Sequence, residues 1–186
     1  MAEERVCPVW IGYLLASPIR RLFQNPKNIL GNHIKPGMTA LDIGCAMGFF
    51  SLWMAKAVGP DGRVIGVDLQ EKMVNSLKRR AEKAGLSKRI EPRVCSDKSL
   101  EIADLSEQVD LALAFYVVHE VPSVSGFIDE VYKSLKPGGR FFVVEPNGHI
   151  SADDYRANEA MMQKAGFTIV DHPKIKRSYA TLFAKN

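Results

Sequence analysis

A carboxylate placed 20 residues beyond a glycine turn is the first arrangement in this 186-residue chain that can do chemistry. Asp68 ends the apolar stretch that starts at Arg63, and Gly44 and Gly48 bracket a turn that follows the apolar run Met38 to Ile43. Glycine lets a backbone bend sharply and approach a ligand, and the helix start that follows offers free N–H groups. In a doubly wound nucleotide fold, an acid at the second strand end accepts hydrogen bonds from both hydroxyls of a ribose lying over the turn. The bland alternative is a solvated acid at a strand end. The dinucleotide fingerprint G-x-G-x-x-G would need glycines where this chain has Gly44, Ala46 and Phe49, so it fails twice and a pyrophosphate cradle is disfavoured. A cofactor with a ribose and an adenine but no phosphates fits better.

Proton-transfer chemistry has its own candidates. Tyr116, His119 and Glu120 follow the apolar run that starts at Val109, and His149 follows a fifth strand-like stretch. A histidine titrates near neutrality, so His119 or His149 can take a proton from a hydroxyl or an enolisable carbon. Either can equally be a polar residue opening a helix. No acids and histidines recur at metal-ligand spacing, so no metal is expected. The three cysteines, Cys7, Cys45 and Cys95, form no CxxC pair, which argues for reduced thiols and a cytoplasmic setting rather than a disulfide framework. Capture of a soft element by Cys7 and Cys45 is imaginable, but buried inert cysteine is the simpler reading.

Positioning these groups requires alternating strands and helices. Strand-like runs are Met38 to Ile43, Arg63 to Leu69, Ile90 to Cys95, Val109 to Val118, Arg140 to Glu145, Phe167 to Asp171 and Ser178 to Ala184. Helical patterns cover Ser51 to Val58, Glu71 to Ala84, Val124 to Leu135 and Asp153 to Ala165, with Lys136-Pro137-Gly138-Gly139 stopping the third sharply. Pro92 suggests an edge strand. Helices between the first five strands imply parallel pairing and right-handed crossovers, while the last two, about six residues apart, suit an antiparallel hairpin. Residues 7 to 34 form a preface with Ser17-Pro18 and Asn25-Pro26 as helix starts and with Trp10 and Tyr13 in its apolar part. It can pack on the sheet, cover the ligand crevice or touch a membrane surface.

Length predicts one domain, with the preface over 1–35 and an α/β core over 36–186. A formal charge of +4, with 46% hydrophobic and 25% charged residues, is ordinary for a globular protein. The basic groups at Arg20 and Arg21, Lys78 to Arg80 and Lys174 to Arg177 read as solvated faces, so no nucleic-acid partner is expected. No signal-like segment and no run of membrane-spanning length are present.

The string Leu41-Asp42-Ile43-Gly44-Cys45-Ala46-Met47-Gly48 resembles motif I of class I S-adenosylmethionine-dependent methyltransferases, usually D-x-G-x-G-x-G. Val67-Asp68-Leu69 resembles that family's ribose-binding strand end, and Ser96-Asp97 its adenine-contacting acid. The segment Val109 to Glu120 is similar to the fourth-strand region of ubiquinone and menaquinone biosynthesis methyltransferases, and Leu135 to Arg140 to the turn before strand five. The resemblance implies a Rossmann-like, doubly wound seven-stranded sheet in the order 3-2-1-4-5-7-6, its last strand antiparallel and helices on both faces. It also implies methyl transfer from S-adenosylmethionine to a small-molecule or lipid-like acceptor. Asp42 would orient the cofactor's amino group, Gly44, Cys45, Ala46 and Gly48 would line its methionine part, and Asp68 would take the ribose hydroxyls. Leu69 would lie on the adenine, Ser96 and Asp97 would meet its edge, and Ala114 and Phe115 would hold the amino-acid end. Asp97 can alternatively cap a helix over Lys98 to Leu105. Ala46 departs from the family's middle glycine, and an ordinary φ is expected there because a left-handed alanine is costly. The short stretch Pro146 to Ala152 leaves no room for a substrate cap. The Asn or Asp-Pro-Pro-aromatic signature of nucleic-acid amino methyltransferases is missing, the sequence being Ala114-Phe115-Tyr116-Val117. An NAD-linked oxidoreductase, a non-catalytic cofactor-binding subunit of a partner enzyme and an RNA methyltransferase are the rival readings, and oligomerisation is open.

Overall fold

The computed structural model of the protein describes Arg20 and residues 24–186. Two compact units divide the chain, one ending at Cys95 and the other running from Ser96 to Asn186. Cys7, Trp10, Tyr13 and the Ser17-Pro18 helix start lie outside the described residues.

The first unit opens with helix α1 (Pro26–Leu30), where the Asn25 side chain accepts the Lys27 N–H at 3.0 Å and Pro26 stands in the first turn. Strands β1 (Thr39–Ile43), β2 (Arg63–Asp68) and β3 (Ile90–Val94) pair in parallel, Leu41 opposite Ile65 and Val64 opposite Ile90. Ala40, Leu41, Ile43, Val64, Ile65 and Val67 are all buried, without alternation, because a parallel strand is covered on both faces. Helix α2 (Ser51–Ala57) follows β1, and α3 (Glu71–Lys83) follows β2. Met73, Val74, Leu77 and Ala81 make the buried face of α3, and Gly85 at φ +68° lies beyond its end. Strand β3, with Pro92, is a sheet edge, where a missing N–H costs nothing.

In the second unit β4 (Val109–Phe115) pairs in parallel with β5 (Leu135–Pro146), while β7 (Ser178–Lys185) runs antiparallel to both β5 and β6 (Phe167–Asp171). Helix α4 (Val124–Ser134) precedes β5, and α5 (Ala152–Lys164) is capped by Ser151, whose hydroxyl accepts the Asp154 N–H at 3.1 Å. Helix α4 stops before Lys136 to Gly139 as expected, and that run is itself part of β5, which therefore starts earlier than Arg140. Val109 faces Leu135 and Leu111 faces Arg140, so the register shifts across Pro137-Gly138-Gly139, with Gly138 at φ +76°. Rings of Tyr132, Phe141, Phe167 and Phe183 form the aromatic centre of this unit. Between Lys98 and Leu105 the only helical turn is a short 3₁₀ segment, Ala103–Leu105, so Asp97 caps no helix.

The sheet order is β3-β2-β1-β4-β5-β7-β6, the order the family resemblance implies, with the final hairpin antiparallel.

Candidate functional site

The turn after β1 is built from three left-handed residues, Gly44 at φ +66°, Ala46 at +46° and Gly48 at +83°. The ordinary φ expected at Ala46 is therefore wrong. What holds the alanine there is a charged acceptor: its N–H donates to Asp68 Oδ2 at 2.8 Å, while Cys45 N–H donates to the Val67 carbonyl at 3.0 Å. A charge-assisted hydrogen bond offsets a left-handed cost of about 1–2 kcal/mol. Gly48 cannot be replaced so easily, because a Cβ there would run into Leu77 of α3. The Arg80 guanidinium, also from α3, donates to the Met47 carbonyl. We expect Ala46→Gly to raise stability by about 1 kcal/mol, read as a melting point higher by about 2–4 °C; a drop on thermal scanning would show that the methyl makes a packing contribution larger than the backbone cost.

Asp68 also accepts the Gln70 N–H through Oδ1 at 2.9 Å. Burial raises its carboxyl above the ordinary value, against the pull of those two backbone donors. Leu69 beside it is 40% exposed, a large apolar side chain left uncovered at the strand end. Asp42, at the end of β1, is 2% exposed and takes a hydrogen bond from the Ser51 hydroxyl. Burial pushes it up to about 7, opposed by the Ser51 hydrogen bonds and the Arg20 charge and assisted by Asp68. Ser51 as its partner was not legible beforehand, since a serine at a helix start signals only a cap. Cys45 is buried and its thiol is raised well above its usual value, chiefly by desolvation, which makes it the inert cysteine expected.

In the second unit Ala114 and Phe115 close β4 as buried residues, and Tyr116 follows in a bend at φ +65°. The Tyr116 and Ser178 hydroxyls are hydrogen-bonded at 2.7 Å. Ser96 accepts the N–H groups of Lys98 and Ser99 through its hydroxyl, at 3.3 and 3.1 Å, and Asp97 is exposed. The group that sequence reasoning missed is Glu145. It stands next to last in β5 with no exposed surface, accepts the Val117 and Val118 N–H groups through Oε1 at 3.0 and 2.9 Å, and bonds His119 Nδ1 through Oε2. An acid closing the apolar run Phe141 to Val144 was the signal available. His119 is raised above its ordinary value, first by that hydrogen bond and against a smaller desolvation effect. Its Nε2 is 3.9 Å from Glu120 Oε1, and the exposed His149 ring packs edge-on at 5.5 Å between centroids. So the structure brings His119 and His149 together, and leaves Tyr116 tied to β7.

Among the described residues no cluster of His, Cys, Asp and Glu is arranged to hold a metal, and no helix is long and apolar enough to cross a membrane.

Residues 34–186 match the methyltransferase domain family. An arsenite methyltransferase of Halobacterium salinarum is 30% identical over 79% of this chain and 41% of its own length. A demethylmenaquinone methyltransferase of Symbiobacterium thermophilum is 34% identical over 61% of this chain and 44% of its own. The chain thus spans less than half the length of these relatives. Among solved structures, a SAM-dependent methyltransferase from Aquifex aeolicus shares the fold with a TM-score of 0.84 at 22% identity, covering 96% of this chain and 98% of that one. With the glycine turn, the acid at the end of β2 and the sheet order all in place, the chain belongs to the methyltransferase domain family.

Proposed function

We propose that the protein transfers a methyl group from S-adenosylmethionine to a small-molecule or lipid-like acceptor. The observation that carries this reading is the use of the turn's own donor: the Ala46 N–H, which a dinucleotide site would aim at a pyrophosphate, is spent on the Asp68 carboxylate. A turn fronted by an anion repels phosphate and suits a neutral diol or a cation. The residues therefore fit S-adenosylmethionine better than NAD. Asp68 offers its carboxylate to ribose hydroxyls, Leu69 an apolar face to adenine, and Asp42 a buried acid to an ammonium group, with Gly44, Cys45, Ala46 and Gly48 as backbone around the amino-acid part. Ser96, Asp97, Ala114 and Phe115 keep the roles that the family resemblance implies. When bound, the cofactor supplies an electrophilic methyl on a sulfonium, so the protein's task is alignment and exclusion of water.

The names of the two relatives, arsenite and demethylmenaquinone methyltransferases, support an acceptor outside nucleic acid. The buried Cys45 thiol argues against Cys45 as a thiolate ligand for arsenic. His119 takes the acceptor's proton where the nucleophile carries one. Calorimetric titration with S-adenosylhomocysteine is expected to show saturable binding, while NADH gives no fluorescence change; the reverse pattern would establish the oxidoreductase reading instead.

A further inference from the structure

The structure assigns Glu145 as the positioning residue for His119, holding the imidazole with Nδ1 turned inward so that Nε2 is the nitrogen presented to a protic acceptor. This deepens the methyl-transfer reading and rests on it for the identity of the proton donor.

Glu145 is a carboxylate with no exposed surface. A buried, ionised glutamate persists only where its oxygens are hydrogen-bonded. Glu145 meets that condition with two backbone donors on Oε1, from Val117 and Val118, and His119 Nδ1 on Oε2. The two amides are those of Val117 and Val118, the cap and the first residue of the 3₁₀ segment Val118–Glu120 that carries His119. One side chain from the end of β5 therefore fixes both the backbone that bears the imidazole and the imidazole itself. With two ordinary backbone hydrogen bonds on one oxygen, the second is left for the ring, and an Nδ1–H is the donor that a carboxylate demands. Nε2 is then the lone pair available above the histidine's midpoint.

The groups facing His119 are Glu145 on the inner nitrogen, Glu120 at 3.9 Å from Nε2, and His149 edge-on at 5.5 Å. The two acids favour the imidazolium, and a second imidazolium at His149 would oppose it. The step balances simply: the acceptor X–H gives its proton to Nε2, its electron pair forms the X–CH₃ bond, and the carbon–sulfur pair returns to sulfur, leaving a neutral thioether. Glu145 stays a carboxylate and stabilises the imidazolium formed. The acceptor class that needs this device carries an acidic O–H, S–H or enolisable C–H; one that attacks through a free lone pair does not.

The test is nitrogen-15 NMR of the histidines in the full chain, with His119 assigned by loss of its signals in His119→Gln. The wild type is expected to show an Nδ1-protonated His119 above its midpoint. In Glu145→Gln the single oxygen stays with the Val117 and Val118 N–H groups and the amide NH₂ faces Nδ1, so both the charge and the ring's acceptor are lost and the His119 midpoint should fall by about one pH unit. Glu145→Ala should in addition let both tautomers appear, and if that variant does not fold, the Gln variant alone decides. An unchanged midpoint in Glu145→Gln, or an Nε2-protonated wild type, overturns the assignment. S-adenosylhomocysteine titration of the same samples keeps the two readings apart. Unaltered binding in Glu145→Gln is expected, whereas absent binding in the wild type would sink methyl transfer while leaving the NMR result intact.

Discussion

Asp68→Ala weakens S-adenosylhomocysteine binding about a hundredfold or more, because two hydrogen bonds to a charged acceptor, each about 1.5–3 kcal/mol, are lost with the carboxylate. The substitution also removes the acceptor of the Ala46 and Gln70 amides, so lower affinity alone does not separate a missing ligand contact from a collapsed turn. Ala46→Gly supplies the separation. Glycine needs no compensation at φ +46°, so in the double variant Asp68→Ala/Ala46→Gly the melting point recovers by a few degrees while affinity stays low. Calorimetry and thermal scanning on the four proteins of this cycle read both quantities. Recovery of affinity with glycine at position 46 would mean that Asp68 acts on the ligand only by shaping the turn, and the ribose role would fall.

That coupling marks the boundary of what the residues disclose by themselves. The inner parallel strands were legible because strands buried on both faces read as uninterrupted apolar runs, with Gly44, Gly48 and Gly85 punctuating them, whereas the sheet order was implied by the family resemblance. Propensity points the wrong way at Ala46, since the intrinsic cost of a left-handed alanine is local and the carboxylate that offsets it lies 22 residues on. Glu145 was missed for a related reason. An acid after four buried residues looks like the place where a strand reaches solvent, and only the folded chain shows the 117–119 turn closing over it. At Asp97 the alternative of a helix cap has no helix behind it, because Ser96 organises that loop. The Lys136 to Gly139 run was read correctly as the stop of helix α4, while its place inside β5, across a register shift against β4, was not foreseen. At Ala46 and Glu145, both on the candidate site, a tertiary partner overrides a local preference.

Asp42→Asn makes the ligand-free protein more stable and a poorer binder. Asp42 ionises in the folded chain only near pH 7, against 3.8 for an ordinary aspartate, since burial outweighs its hydrogen bonds from Ser51. A folded-state value above the unfolded one means that the native protein holds the extra proton. Stability contributed by that proton is full below the unfolded value and is lost as pH rises through about 7. A shift of about three units corresponds to a cost on the order of 4 kcal/mol above that range, and asparagine, an acceptor without charge, avoids most of it. The variant's melting point should therefore exceed the wild type's at about pH 8, by about 2–4 °C for each kcal/mol recovered, and the gap should close towards about pH 4. A gap that is constant with pH would show that Asp42 does not titrate in the folded protein. Binding runs the other way, because the amino group of the cofactor product is a cation and Asp42 is the buried anion we assign to it. Wild-type affinity for S-adenosylhomocysteine should rise between about pH 6 and 8 as the carboxyl ionises, and binding near its midpoint should release protons, seen as a dependence of the calorimetric heat on buffer ionisation enthalpy. Asparagine should flatten both and lower affinity at least about tenfold at about pH 8. The carboxylate is then a group kept at the expense of stability for the charge it offers a ligand, which is why a polar residue with almost no exposed surface stands at the end of the central β1 strand.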